Sequence, residues 1–130
     1  VDRILLLSAE RSVVRWTADR AATQLARLTR VARESGMQSR RVRLPVVESV
    51  VPAAVAVGRT YAAMAEPGGE ALDDDVRLLL VGPEGGWTDA ELGDRRRVGL
   101  GPTVLRAETA AIAAGTLMVA LRDGRLSAAS

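Results

Sequence analysis

Two glycine-proline segments of the sequence combine backbone freedom with a few ionisable side chains. The first segment, LLLVGPEGGWTDAEL, extends from Leu78 to Leu92, and the second, GLGPTVLRAETA, from Gly99 to Ala110. In each, a short apolar run enters a Gly-Pro turn and a helix is expected to follow. Glycine lets the main chain approach a ligand closely, and proline stiffens a turn. The pattern favours two ligand loops at strand ends, where α/β proteins commonly bind small molecules.

Familiar phosphate-binding loops do not account for the segment from Gly82 to Gly86. The dinucleotide pattern G-x-G-x-x-G is not matched, and the pattern G-x-x-x-x-G-K-[ST] fails because the sequence contains no Lys. A tight strand-to-helix turn with nothing bound is the alternative for this loop alone. Because the second loop has the same construction, the pair favours one pocket lined by main-chain groups of both.

Composition excludes several function classes. With 130 residues, of which 48% are hydrophobic, the chain can bury one core, and we expect one domain over residues 1–130. Cys and His are both absent, which excludes disulfides, thiolate or imidazole metal sites, and catalysis by a His base or Cys nucleophile. No metal is therefore predicted. All 18 basic residues are Arg, a balance that tolerates a polyanionic partner without requiring one.

The hydrophobic pattern also bears on the cellular location. No apolar run reaches the length of a membrane span, because Gly, Pro or charged residues interrupt the longest candidates. The first residues, VDRILLLSAERS, lack the small-residue cleavage pattern of a signal peptide. We expect a protein without a membrane association, located in the cytoplasm.

Apolar periodicity predicts the elements that position the two loops. A helix is expected from Ala18 to Gly36, with Gly36 as its stop. The segment EPGGEALDDD is expected to be a solvated loop, and VLRAETAAIAAGTLMVALRDG an alanine-rich terminal helix. Strands are expected at Ile4 to Leu7, in RRVRLPVV up to about Pro45, around Thr60 to Ala65, and at Val76 to Val81.

The order of these elements predicts the fold class. Thr88 and Glu91 have the spacing of a capping box, which predicts that a helix starts immediately after the first glycine loop. Strands and helices alternate along the chain. Such alternation predicts an α/β fold with a mostly parallel sheet flanked by helices on both faces.

Taken together in their order, the segments resemble one known family. GPEGGW followed by LGPTVLRAETA, with ERS, Trp16 and ARESGMQSRRVRLP upstream, is similar to the RsmE-type 16S rRNA uridine N3-methyltransferases of the SPOUT class. The resemblance extends from about Glu10 to Ala120. It implies an α/β domain with a C-terminal trefoil knot, S-adenosylmethionine as the methyl donor, a homodimer, and the 16S rRNA of the small ribosomal subunit as substrate, with uracil 1498 as the family's target.

The resemblance also assigns site residues. It implies that the helix from Glu108 onward is threaded through the knot, and that Gln38, Arg40 and Arg41 contact the RNA. The residues expected to bind S-adenosylmethionine are Leu80, Val81, Gly82, Pro83, Glu84, Gly85 and Gly86 in the first loop, and Leu100, Gly101, Pro102, Val104, Leu105 and Arg106 in the second.

Methyl transfer to uridine N3 needs alignment of donor and acceptor, removal of the N3 proton, and exclusion of water. Without His or Cys, the base is a carboxylate or a solvent molecule, and Glu84 and Glu108 match the motifs. Arg106 is placed to stabilise negative charge on the uracil, so Arg106 and Glu84 are the predicted catalytic residues. Structural alternatives stay open: Glu84 bonds loop amides, Arg106 pairs with Glu108, or Glu108 only favours its helix dipole, which is the preferred reading of Glu108.

Other interpretations remain at this stage. The family's N-terminal β-rich RNA-binding domain and the first strand and helix of its methyltransferase domain are expected to be absent from this sequence, and the stretch from Trp87 to Leu100 is shorter than in the family. The alternatives are another SPOUT enzyme acting on tRNA or on a ribose hydroxyl, a nucleotide-binding regulatory domain, or a structural dimerisation domain. For the arginines of the first helix, Arg20 to Arg33, a solvated helix face is slightly preferred over contact with rRNA phosphates.

Overall fold

The computed structural model describes residues 1–12 and 16–128, which divide into two compact units. The described parts of the first unit are residues 1–8 and 16–52, and those of the second are residues 9–12 and 53–128. Every strand pair among them is parallel, and a helix separates all but one pair of consecutive strands, so the α/β class is confirmed. The elements are β1 (Arg3–Ser8), α1 (Ala18–Gln38), β2 (Val46–Pro52), α2 (Ala53–Ala56), β3 (Ala62–Glu70), β4 (Leu78–Leu80), α3 (Asp89–Leu92), β5 (Arg97–Val98) and α4 (Ala107–Arg122).

The first unit is a two-stranded parallel sheet with one helix against it. β1 pairs with β2 from Arg3 opposite Val46 onward, and α1 contacts β2. Thr17 is the N-cap of α1, because its side-chain oxygen accepts a hydrogen bond from the Arg20 amide at 3.3 Å. The predicted strand at Ile4 to Leu7 and the predicted start of α1 are therefore confirmed.

The predicted end of α1 is wrong, and the reason lies in the turn that follows it. Gly36 stays inside the helix, where it is buried against Leu44. The helix ends at Gln38, and Arg40, two residues beyond its end, adopts a left-handed φ of 55°. The Arg40 amide donates to Met37 O at 3.2 Å and the Arg41 amide to Gly36 O at 3.0 Å, the two bonds of a Schellman motif. Because this turn occupies the start of RRVRLPVV, residues 40–45 do not form a strand, and β2 begins only after Pro45.

The second unit contains a three-stranded parallel sheet in the order β4-β3-β5. The central strand β3 starts where the sequence predicted it but continues to Glu70, through part of the segment expected to be a solvated loop. Gly69 makes this possible, since a Cβ atom there would lie 2.7 Å from the backbone of Val98. The Gly99 amide then donates to Glu70 O at 2.9 Å. Among the described residues the strands form two sheets, where the sequence predicted one.

The core of the second unit is aliphatic. Its buried cluster consists of Ala63, Leu72, Val76 and Val98, and part of α4 packs against it through Leu117, Met118 and Leu121. Leu72 reaches this core from the segment ALDDD. Arg96 holds that segment, because Arg96 Nη2 lies 2.5 Å from Asp73 Oδ2 and Arg96 Nε pairs with Glu70. Among the described residues, no helix is both long and apolar enough to cross a membrane.

The close approach of β3 and β5 predicts the effect of one substitution. Gly69→Ala should lower the free energy of unfolding by about 1 to 3 kcal/mol, the usual range for overpacking, because backbone atoms 2.7 Å away cannot rotate aside. Urea unfolding measures the change. Gly58→Ala is the control, since the nearest atom to a Cβ there is Val55 O at 3.4 Å, an ordinary contact. Equal stability of the two variants would contradict this account of β3.

Candidate functional site

The first glycine loop begins where β4 ends. Leu80 is buried, with 1% of its surface exposed, and anchors the start of the loop in the core. The Gly86 amide donates to Pro83 O at 2.8 Å, which closes a tight turn. Gly86 has a φ of 80°, a left-handed conformation that favours glycine. The turn leaves Glu84 and Gly85 exposed, while the loop residues Val81, Gly82, Pro83 and Gly86 are half-buried.

Trp87 fixes the loop from below. Its side chain is buried, with 5% exposed, and its indole Nε1 donates to Ala65 O on the central strand β3 at 3.0 Å. The indole lies so close to Gly82 that a Cβ atom there would be 2.8 Å from Trp87 Cε2. Gly82 is therefore required by the packing of the loop on Trp87, in addition to any role toward a ligand.

The predicted capping box of Thr88 and Glu91 is present at the start of α3. Glu91 is buried, with 8% exposed, and its Oε1 accepts from the Thr88 amide at 2.9 Å. Its second oxygen, Oε2, accepts from the Glu10 amide at 3.1 Å. Burial raises the pKa of Glu91, but the hydrogen bonds from Thr88 and Glu10, with the nearby charge of Arg11, outweigh it and hold the pKa below its ordinary value.

A residue that the sequence did not single out, Arg11, also contacts the loop. Its Nη1 donates to Gly85 O and to Trp87 O, at 3.2 Å each. The only sequence signal was the triplet ERS among the segments of the family resemblance. It lies more than 70 positions upstream of the loop, so no local pattern could connect them.

The second glycine loop follows β5 and leads into α4. Gly101 has a φ of 141°, and no atom lies within 4 Å of the position of its missing Cβ, so its backbone faces open space. Because β4 and β5 are both parallel to the central β3, their carboxyl ends lie at the same edge of the sheet. Both loops therefore leave the sheet at that edge. Of the second-loop residues, Leu100 and Leu105 are half-buried, and Gly101, Pro102, Val104 and Arg106 are exposed.

The ionisable candidates in these loops are exposed. Arg106 is the N-cap residue of α4 without a side-chain capping bond, and Glu108 lies in the first turn of that helix. Within residues 1–12 and 16–128, the side chains of Glu84 and Arg106 form neither a hydrogen bond nor an ion pair. Neither of the two structural alternatives is therefore formed among the described residues: Arg106 does not pair with Glu108, and Glu84 does not bond to loop amides.

The residues predicted to contact RNA lie in the first unit. Gln38 is the last residue of α1, and Gln38 and Arg40 are both exposed. Arg41 is half-buried and already has partners, because its Nη1 donates to Val1 O at 2.8 Å and its Nη2 lies 3.3 Å from Asp2 Oδ1. A guanidinium has five donors, so these contacts leave Arg41 some capacity for a further acceptor.

In the described part of the chain, no group of three or more acidic side chains is placed to hold a metal ion. One shallow apolar cavity of about 280 Å³ lies between Leu72, Gly99 and the C-terminal half of α4. None of the predicted cofactor residues lines it. The candidate site is the pair of glycine loops at the sheet edge, which is separate from this cavity.

Two glycine loops leave one edge of the parallel sheet of this α/β fold, one after β4 and one after β5. The chain belongs to the RNA methyltransferase domain family, whose model matches residues 1–119. It is 35% identical, over 87% of its length, to the ribosomal RNA small subunit methyltransferase E of Mycobacterium bovis and to that of Mycobacterium tuberculosis. It spans 51% of those proteins, about half of their length.

A solved structure gives the same grouping. The crystal structure of a ribosomal RNA small subunit methyltransferase E from Neisseria gonorrhoeae, bound to S-adenosyl methionine, matches with a TM-score of 0.73 and 28% identity. The match covers 92% of this chain and 55% of that one. The family resemblance inferred from the ordered motifs is thereby confirmed.

Glu91 predicts how stability depends on pH. Its pKa is lowered on folding from an ordinary value of 4.5, so its contribution is present above that value and is lost as the pH falls through the lower folded pKa. The free energy of unfolding should therefore decrease between about pH 5 and about pH 3, and should decrease less in Glu91→Gln, whose amide does not titrate. Urea unfolding at several pH values measures both. An identical pH profile in the variant would contradict this role of Glu91. Part of the pH dependence of stability remains in the variant, because Arg96 lowers the pKa of Asp73 in the folded protein.

Proposed function

We propose that the chain is the catalytic part of an S-adenosylmethionine-dependent methyltransferase that acts on N3 of a uridine in 16S rRNA. The observation that carries the proposal is the pair of glycine loops at the carboxyl edge of one parallel sheet in a member of the RNA methyltransferase family. The names of the mycobacterial relatives support rRNA of the small subunit as the substrate class. The proposed location of the protein is the cytoplasm, because its proposed substrate is ribosomal RNA.

The two loops fit S-adenosylmethionine by their backbone. Gly86 and Gly101 adopt positive φ values and place no side chain over the loop surface. Exposed amides and carbonyls of such loops can bind the adenine, ribose and methionine groups without a charged side chain. The neighbour from Neisseria gonorrhoeae was solved with this molecule. When bound, S-adenosylmethionine supplies an electrophilic methyl group, so no metal is required to activate it.

The protein's own part in the reaction is to position the uracil and to handle one proton. Loss of the N3 proton leaves negative charge on the uracil, shared with the neighbouring carbonyl oxygens. N3 then bonds to the methyl group as the methyl–sulfur bond breaks and its electron pair stays on sulfur, which leaves as a neutral thioether. Arg106 is exposed at the start of α4 and free to meet that charge. Glu84, at the exposed tip of the first loop, is the proposed proton acceptor or loop organiser.

The proposal extends to RNA contact and to chain topology. Gln38 and Arg40, both exposed, and Arg41 with its remaining donors are proposed to contact rRNA phosphates, which position a substrate without reading its sequence. The uridine must leave its base stack to reach the sheet edge. The trefoil knot implied by the family resemblance is proposed for the C-terminal part, with the second loop and α4 as its elements.

A homodimer is also proposed. α4 carries small residues at Ala113, Ala114 and Gly115, and Ile112 on the same helix is 72% exposed. Exposed large apolar residues on a helix of small side chains favour close packing against a second copy. Val104, which is 79% exposed and lies three residues before the start of α4, is proposed to extend this surface.

Cofactor binding and turnover test the proposed function separately. We expect S-adenosylmethionine to bind in the low micromolar to millimolar range by calorimetry. Arg106→Ala should lower turnover by about a hundredfold or more with nearly unchanged cofactor affinity, because it meets charge that develops only during transfer. Glu84→Gln should lower affinity, turnover or both, according to whether it orders the loop or takes the proton.

The readouts are heat of binding and methylation of small-subunit rRNA. Arg125→Ala, an exposed arginine beyond α4, is the matched control and should keep both values. No binding heat and no chemical-shift change in either loop would refute the methyltransferase proposal. Wild-type turnover in Arg106→Ala would refute only the catalytic role of that arginine.

The dimer has its own prediction. The protein should sediment as a dimer at micromolar concentration, and Ile112→Glu should shift it toward monomer, since a charge in an apolar interface is costly. Thr23→Glu, on the exposed face of α1, is the control. A monomeric wild-type protein at that concentration would refute the proposed interface.

A further inference from the structure

Arg11 lies along the flank of the first glycine loop as well as bonding to it. If Gly85 carried a Cβ atom, that atom would lie 3.2 Å from Arg11 Cβ and 3.7 Å from Arg11 Cδ. The guanidinium then continues past Gly86, and its Nη1 reaches the carbonyls of Gly85 and Trp87. One side chain thus contacts the loop both through its aliphatic stem and through its charged end.

The backbone beneath Arg11 is itself fixed. The Ser12 amide donates to Ala9 O at 3.1 Å, and the Ala9 amide donates to Ser12 Oγ at 3.1 Å, which closes a tight turn over residues 9–12. The Glu10 amide donates to the buried carboxylate of Glu91. Arg11 is therefore presented from a turn anchored to the start of α3, the helix that follows the loop.

The loop needs such an external support. It contains Gly82, Gly85 and Gly86, and glycines lose more conformational freedom on ordering than other residues. Its own turn has one internal bond, from the Gly86 amide to Pro83 O. The carbonyls of Gly85 and Trp87 both turn toward Arg11, so a donor at this position selects one loop conformation before any ligand binds.

We propose that Arg11 is a positioning residue that holds the first glycine loop in its cofactor-binding conformation. The proposal rests on the proposed function, since the ligand is S-adenosylmethionine. Arg11 acts through the loop and not on the reacting atoms. Its loss therefore weakens cofactor binding, while turnover at saturating cofactor stays close to that of the wild type.

The test compares Arg11→Ala, Arg11→Lys and the control Arg95→Ala, an exposed arginine of the same unit. Calorimetry with S-adenosylmethionine should show affinity about tenfold weaker in Arg11→Ala, as expected for lost charge-assisted hydrogen bonds, and wild-type affinity in Arg95→Ala. Arg11→Lys should recover part of it, because an ammonium keeps the charge and the stem but not the fork. KM for the cofactor should rise by the same factor, with kcat nearly unchanged.

Hydrogen exchange separates this proposal from the function on which it rests. The Gly86 amide should exchange faster in Arg11→Ala than in the wild type, at an unchanged urea midpoint, because the loop opens without unfolding of the unit. Wild-type affinity and exchange in Arg11→Ala would overturn the proposal. If the wild type binds no S-adenosylmethionine, the proposed function fails, and the Gly86 exchange rate alone decides whether Arg11 holds the loop. If Arg11→Ala does not fold, Arg11→Lys carries the same comparison.

Discussion

The contact between the Trp87 indole and Gly82 is the constraint on which the candidate site depends. The indole is buried, bonds to Ala65 O at the middle of the sheet, and fills the space that a side chain at Gly82 would need. A loop rich in glycine would otherwise sample many conformations. Trp87 packs against one side of the loop and Arg11 bonds to its carbonyls. These contacts within the protein fix the conformation of the loop backbone. Its remaining surface, around Glu84, faces solvent.

The central strand β3 connects this loop to the second one. Ala65 pairs with Val98 on one side, and the same residue's carbonyl accepts the bond from Trp87. Farther along, Gly69 lets β3 approach β5 closely, and Glu70 accepts from the Gly99 amide immediately before the second loop. One strand therefore sets the position of both loops, so a shift of β3 would move the two halves of the site together.

The sequence predicted elements where the physical cause is local. The capping box of Thr88 and Glu91, the strand at Ile4 to Leu7 and the start of α1 all depend on residues a few positions apart. The errors arose where the cause is distant or unusual. A glycine near the end of a helical pattern predicts a stop, but the missing side chain of Gly36 serves its contact with Leu44. Arg40 takes the left-handed position that glycine usually holds.

The same distinction applies to the site. Both loops were predicted because Gly-Pro turns after apolar runs are visible in the sequence, and parallel pairing brings them to one edge. From the sequence, Trp87 is only part of the GPEGGW motif, and Glu91 is only part of the capping box with Thr88. Glu91 also accepts a hydrogen bond from the Glu10 amide, and Arg11 donates to the carbonyl of Gly85. Both bonds join segments more than 70 residues apart, which no local sequence pattern predicts.

The arginine content takes on a different meaning once contacts are considered. The sequence contains 18 basic residues, all Arg, a balance that tolerates a polyanionic partner without requiring one. Yet Arg96 bridges Glu70 and Asp73, Arg3 pairs with Glu48, and Arg11 bonds to carbonyls. The planar guanidinium, with several donors in fixed directions, suits such bridging within a protein as well as it suits phosphate. Net charge is therefore weak evidence for RNA contact here. The individual contacts are more informative than the net charge: Arg106, at the start of α4, is exposed and lacks a partner among the described residues.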